Sequence, residues 1–134
     1  MKRLAILFSA LLLSACGNNQ MASLEAGDRD HSISIIREQA YLNGPWETTL
    51  IVAGFPQCQR RYPLKGMAGD KVKITVYRPE PGVFILNSGK RWYVTALQSC
   101  GFQMYQEPPP EPGEMVGTFQ VKDGALSYLA KPPA

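Results

Sequence analysis

The sequence predicts an all-β protein: a small antiparallel β-sandwich or barrel of about eight or nine strands, preceded by a signal peptide and a flexible tether. Three observations predict it. Short stretches rich in Val, Ile, Thr and aromatic residues alternate at period two. Turn signals built on Gly, Pro, Asn and Asp recur about every ten residues. No heptad and no internal repeat interrupts that pattern.

Residues 17–30 are small and polar without periodicity, which predicts a tether spanning ~20 Å as a random coil. Ser32, Ile33, Ser34 and Ile35 alternate at period two, although Ile33, Ile36, Ala40 and Tyr41 also fit a helical stripe. Asn43-Gly44 decides for a hairpin, with Tyr41 expected opposite Trp46. Residues 46–53 form its return strand, and Gly54, Phe55 and Pro56 end it. A strand is expected over 58–64 and a turn over 66–70. Residues 71–78 give the cleanest alternation, with Val72, Ile74 and Val76 on one side and Lys71, Lys73, Thr75 and Tyr77 on the other. Strands follow over 83–87, 90–97 and 100–106. Residues 107–113 are mostly proline and read as a stiff polyproline-II loop. A last hairpin over 116–122 and 125–130 turns on Asp123-Gly124. A two-residue turn there pairs Val121 with Leu126 and Phe119 with Tyr128, placing all four on one face.

Ahead of this domain, Met1, Lys2 and Arg3 open the chain with charge, residues 4–13 are apolar, and Leu13-Ser14-Ala15-Cys16 closes the run. That run is too short to cross a ~30 Å hydrocarbon core as a helix, which takes about 20 residues. The pattern is that of a secretory signal. Leu13-Ser14-Ala15-Cys16 resembles the lipobox of bacterial lipoproteins. The resemblance covers about the first 17 residues. It implies cleavage before Cys16, a diacylglycerol thioether on its sulfur, and usually a further acyl chain on its new amine. Two or more chains anchor stably, since each buried CH₂ contributes ~0.8 kcal/mol. Gly17 stands where an aspartate signals inner-membrane retention. For a Gram-negative source this implies an outer-membrane address, with the body on the periplasmic face. The expected layout is therefore residues 1–15 as signal peptide, 16–30 as a lipidated flexible tether and 31–134 as a single β domain. The covalent lipid on Cys16 is the one non-protein group expected.

The remaining cysteines follow from that address. Cys58 and Cys100 would lie in an oxidising compartment and are expected to form a disulfide, stabilising by roughly 3–4 kcal/mol on the chain-entropy model. A catalytic thiol would need a base, and the one histidine, His31, lies in the segment leaving the tether.

The precursor carries a formal charge of +3, of which Lys2 and Arg3 would leave with the signal. The rest is uneven. Residues 16–57 are acidic overall, 58–100 hold eight basic residues against Asp70 and Glu80, and 101–134 are acidic again. One fold can satisfy such a layout internally, so it does not require a polyanionic partner.

A candidate binding face comes from stacking strands 71–78, 83–87 and 90–97 as a meander. The turns then place Val76, Ile85 and Trp92 on one face. Tyr77, Phe84 and Tyr93 fall on the other, with Thr75, Leu86 and Arg91 as the next row. An aromatic row beside Lys71, Lys73 and Arg91 can stack on sugars or bases and hold phosphate or carboxylate groups. The other reading is that a second sheet covers this face and the row is core. Arg60 and Arg61 suit bidentate anion recognition. Alternation sends them to opposite faces, so one is expected to meet a carboxylate inside the fold.

The sequence has no Gly-x-Ser-x-Gly, no HExxH, no phosphate-cradling glycine loop and no His/Cys cluster of metal spacing. No catalytic residue, metal ligand or cofactor is assigned. The expected partners are the membrane, through the lipid, and an envelope protein or glycan; nucleic acid is not expected. The function read from these residues is a non-catalytic module that binds an envelope component or assists envelope assembly. The alternatives are an inhibitor of a lysozyme or peptidase, and an enzyme acting on envelope polymers.

Overall fold

Alternation of apolar and polar residues gives each strand an inward face, and two such faces meet. The structure, a computed structural model, describes residues 17–67 and 72–132. Among the described residues, β1 (Asn18–Glu25), β2 (His31–Gln39), β3 (Trp46–Gly54) and β4 (Cys58–Pro63) form one antiparallel sheet in that order. The second sheet holds β5 (Lys73–Glu80), β6 (Val83–Ser88), β7 (Arg91–Ala96), β8 (Gly101–Met104), β9 (Glu114–Lys122) and β10 (Ala125–Ala130). Its order is β10-β9-β5-β6-β7-β8. Ile33, Ile35, Leu50 and Val52 from the first sheet share a buried core with Ile74, Val76, Phe84, Leu86, Tyr93 and Phe119 from the second. The expected all-β fold is what forms.

The last hairpin forms in the expected register, Val121 opposite Leu126 and Phe119 opposite Tyr128. Asp123 and Gly124 both take positive φ, 53° and 76°, as a two-residue turn between twisted strands requires. The Cys58–Cys100 disulfide is also present, with the Cα atoms 6.0 Å apart.

Three local expectations are corrected. The stretch 17–30, expected as part of a flexible tether, contains β1, which pairs with β2 along its length from Asn18↔Gln39 to Glu25↔Ser32. Gln20, Ala22 and Leu24 are half-buried while Met21 and Ser23 are exposed, so its alternation is real but built from small and polar residues. The β2–β3 hairpin exists, but Trp46 faces Gln39, and Tyr41 lies in a six-residue loop, 40–45, 56 % exposed. Gln39 braces that loop: its side chain donates to the Gly44 carbonyl (2.9 Å) and accepts from Asn18 Nδ2 (3.0 Å).

The third correction concerns the meander. Tyr77 pairs with Ile85 and Glu80 with Val83, so Arg78 and Pro79 together oppose Phe84. This is a β-bulge. Proline has no N–H to give the ladder, and a bulge is one of the few places a strand accommodates it. One extra residue reverses the facing of β6 relative to β5. Val76, Phe84, Leu86 and Tyr93 therefore point into the core, and Tyr77, Ile85, Trp92 and Val94 point outward.

Both seams between the sheets are closed. At the β4/β8 seam stands the disulfide, beside Tyr62 stacked on Phe102 at 4.7 Å and Phe102 on Tyr93 at 5.3 Å. Tyr62 Oη also donates to the Cys100 carbonyl. At the β1/β10 seam, Gln20 Oε1 accepts from the Leu126 amide (2.9 Å) and from Arg37 Nε (3.0 Å), and Gln20 Nε2 donates to the Gly124 carbonyl (2.8 Å). Arg37 is only 2 % exposed; its Nη2 donates to the same carbonyl (3.3 Å), and its guanidinium lies 3.9 Å over the Trp46 ring.

A candidate binding groove and a polar domain

The chain leaves β8 at one edge of the second sheet and must reach β9 on the far side of β7, β6 and β5. Residues 105–113 make that crossing over the outer face of the sheet. The proline run is suited to it, because a polyproline segment needs no ladder partner and resists collapse. Gly113 (φ 92°) seats the end of this strap directly against the backbone of Pro79, where a Cβ has no room.

Strap and sheet enclose a groove of about 780 Å³. Its floor is Val83, Ile85 and Val94, its walls include Pro79, Tyr105 and Pro108 to Pro110, and its remaining lining is Glu80, Gln106, Glu107 and Glu111. Ile85 is 3 % exposed although it points away from the core, so the strap covers it. Beside the groove's floor strands, Tyr77 stacks on Trp92 at 5.8 Å, also on the outer face. The groove is thus apolar with carboxylates, and no Lys, Arg or His lines it.

The predicted site residues separate. Phe84 and Tyr93 are core, 2 % and 5 % exposed, so the aromatic row Tyr77/Phe84/Tyr93 does not exist as a surface. Only Tyr77 faces out. Arg91 donates to the Lys65 carbonyl and ties the β6–β7 turn to the segment after β4. Lys73 is exposed at the start of β5. Lys71, like Cys16, lies outside the described residues. Arg60 and Arg61 are both exposed, and the carboxylate that Arg61 meets is the surface Glu38, at 3.4 Å. The arginine buried inside the fold is Arg37, which the sequence reading did not single out. The groove residues were missed too. The available signals were Pro79 within a strand pattern, which marks a bulge, and a proline run joining strands that are not neighbours.

Charge is sorted by end. The end holding the start of β1 also holds Lys65, Lys73, Lys90, Arg91 and Lys122, next to Glu38, Glu47 and Asp123. The opposite end holds Glu25, Asp28, Asp30, Glu80 and Glu114 with Arg29 and Arg78; Arg78 lies 3.7 Å from Glu114. There, the Asp28 carboxylate accepts from His31 and from the Asp30 and His31 amides, and the His31 bond leads in holding its pKa below the ordinary 3.8. At the β9–β10 face, burial pushes the Tyr128 phenol up, against a smaller opposing effect of Arg78. Among the described residues no group of His, Cys, Asp and Glu is gathered that could hold a metal ion.

Compared with known proteins, the chain matches no family, no curated protein and no solved structure. The groove is therefore read from its own chemistry.

Proposed function

We propose that this protein is a lipid-anchored, non-catalytic binding module of the bacterial envelope, carried at the outer membrane by Cys16, and that it captures a cationic, partly apolar segment of an envelope protein in the strap groove. One observation carries the choice of ligand: Glu80, Glu107 and Glu111 line an apolar groove that contains no cation. Complementary charge steers such a segment and fixes its register, while the apolar floor supplies the burial. This replaces the anion-binding face expected from the sequence, whose Phe84 and Tyr93 are core. The sequence supports the rest through the resemblance of Leu13-Ser14-Ala15-Cys16 to a lipobox and the absence of enzyme motifs. An inhibitor that plugs an active site needs a protruding cation directed away from the membrane. The hairpin tip that carries Lys90 stands instead at the end where β1 begins.

A photocrosslinking residue in place of Tyr105, in the groove, and another in place of Met21, on the outer face of the first sheet, test this in cells. Tyr105 is expected to capture an envelope protein through a Lys/Arg-bearing segment, and the triple variant Glu80→Gln, Glu107→Gln, Glu111→Gln to lose it. Capture from Met21 alone, or cleavage of purified peptidoglycan by the full chain, sinks the reading.

A further inference from the structure

We propose that the end of the domain next to Cys16 is a membrane seat, in which the loop 40–45 inserts Tyr41 and Leu42 into the lipid interface beside the anchor. The inference rests on the lipid-anchor reading of Cys16 and adds to it a second, non-covalent contact.

Position is the first argument. Because β1 begins at Asn18, almost no slack separates the domain from Cys16. Gly17 already packs on the backbone of Gln39 and Ala40; a Cβ there would sit 3.0 Å from the Ala40 carbonyl oxygen. Gly17, the residue bonded directly to Cys16 in sequence, therefore lies beside the loop that carries Tyr41 and Leu42. A lipid on that cysteine brings the loop to the bilayer surface with no freedom to turn the other end toward it.

Composition and rigidity are the second. Residues 40–45 hold no charged side chain. Leu42 is 70 % exposed, the most exposed large apolar residue among those described. The loop is nevertheless built rather than loose. Asn43 takes φ 61°, the Gly44 amide donates to the Tyr41 carbonyl (2.9 Å), and buried Gln39 ties Gly44 to β1. An aromatic–aliphatic pair held at a tip is the chemistry of an interfacial anchor, with the tyrosine at headgroup level and the leucine below it.

Charge is the third. Lys65, Lys73, Lys90, Arg91 and Lys122 gather at the same end, where among the described residues they outnumber Glu38, Glu47 and Asp123. Basic residues within a Debye length of an anionic leaflet add attraction to the insertion. They also give a place to Lys73, which the aromatic row leaves without a role.

The test uses the full, lipidated chain in vesicles of phosphatidylethanolamine and phosphatidylglycerol. Leu42→Trp is compared with Leu129→Trp, a 52 % exposed position toward the other end of the domain. Each is read against the parent's own Trp46 and Trp92 emission, with lipids brominated on the acyl chains as quencher. The new tryptophan at 42 is expected to be quenched several-fold more than that at 129, and to shift to the blue. Equal quenching at the two positions overturns the seat. The mass of the Cys16 peptide separates the two ideas. Equal quenching on a lipidated Cys16 overturns the seat alone, whereas an unmodified Cys16 overturns the anchor and the seat with it.

Discussion

At the scale of single residues, Pro79 has the largest consequence. It removes one ladder donor, the strand bulges, and Phe84 exchanges places with Ile85. The exchange is measurable. Phe84→Ala should cost about 3–5 kcal/mol, as for other fully buried phenylalanines. Tyr77→Ala, which loses a half-buried ring stacked on Trp92, should cost well under that, on the order of 1 kcal/mol for the ring pair plus partial burial. Urea denaturation of the two variants checks the order; near-equal losses would mean the two rings share one environment. Gly17 acts at the same scale. Its lack of a Cβ suits the close approach to Gln39 and Ala40.

Among the elements, β4 and β8 are short, largely exposed edge strands that meet at the seam through Tyr62 stacked on Phe102. The Cys58–Cys100 bond joins them across a sequence separation of 42 residues. On the chain-entropy model such a loop stabilises by about 4 kcal/mol. Cys58→Ser with Cys100→Ser should lower the unfolding free energy by about that amount, and reduction of the parent should reproduce the loss; an unchanged urea midpoint refutes it. The strap is the complementary device on the outer face. It covers Ile85, which lies on a central strand and would otherwise add a bare apolar patch. What it leaves open beside that residue is the acid-lined groove. One element therefore supplies both the cover over Ile85 and a wall of the groove.

For the molecule as a whole, the sandwich is closed at one seam by a disulfide with aromatics and at the other by Gln20 and Arg37. Buried polar groups are tolerable when each is partnered, and none of the described buried side-chain nitrogens or oxygens lacks a hydrogen bond. Arg37→Met keeps volume but removes the bond to Gln20 Oε1 and the cation over Trp46. It should cost roughly 1.5–3 kcal/mol and change Trp46 emission in the folded state. A changed spectrum with unchanged stability would mean the seam is held by the Gln20 contacts alone. The two charged ends fit the proposed orientation, with the basic end toward the leaflet and the groove presented to the side.

Much of this was legible in the chain itself. Alternation with Asp123-Gly124 is enough to set the last hairpin in register, because a two-residue turn leaves no slack and one face must be apolar. Val72, Ile74 and Val76 announce a core strand for the same reason. The pairing of Cys58 with Cys100 followed once Cys16 was assigned to the lipid. Less was visible where a strand's stability comes from its neighbour. β1 draws on the ladder with β2, and Asn18 to Glu25 carry no compositional sign of that. Facing in the meander could not be settled by alternation alone, since one bulge reverses every side chain beyond it. The groove lay further out of reach still. The sequence by itself determined the all-β class, the last hairpin turn and the disulfide, because these depend on residues near one another or on a pair with one available partner. Only the tertiary structure decided that Phe84 and Tyr93 are core, that Arg37 is buried, and that a proline strap carrying Glu107 and Glu111 crosses over Ile85 beside Glu80. Each of those depends on which strands become neighbours, and local pattern does not encode that.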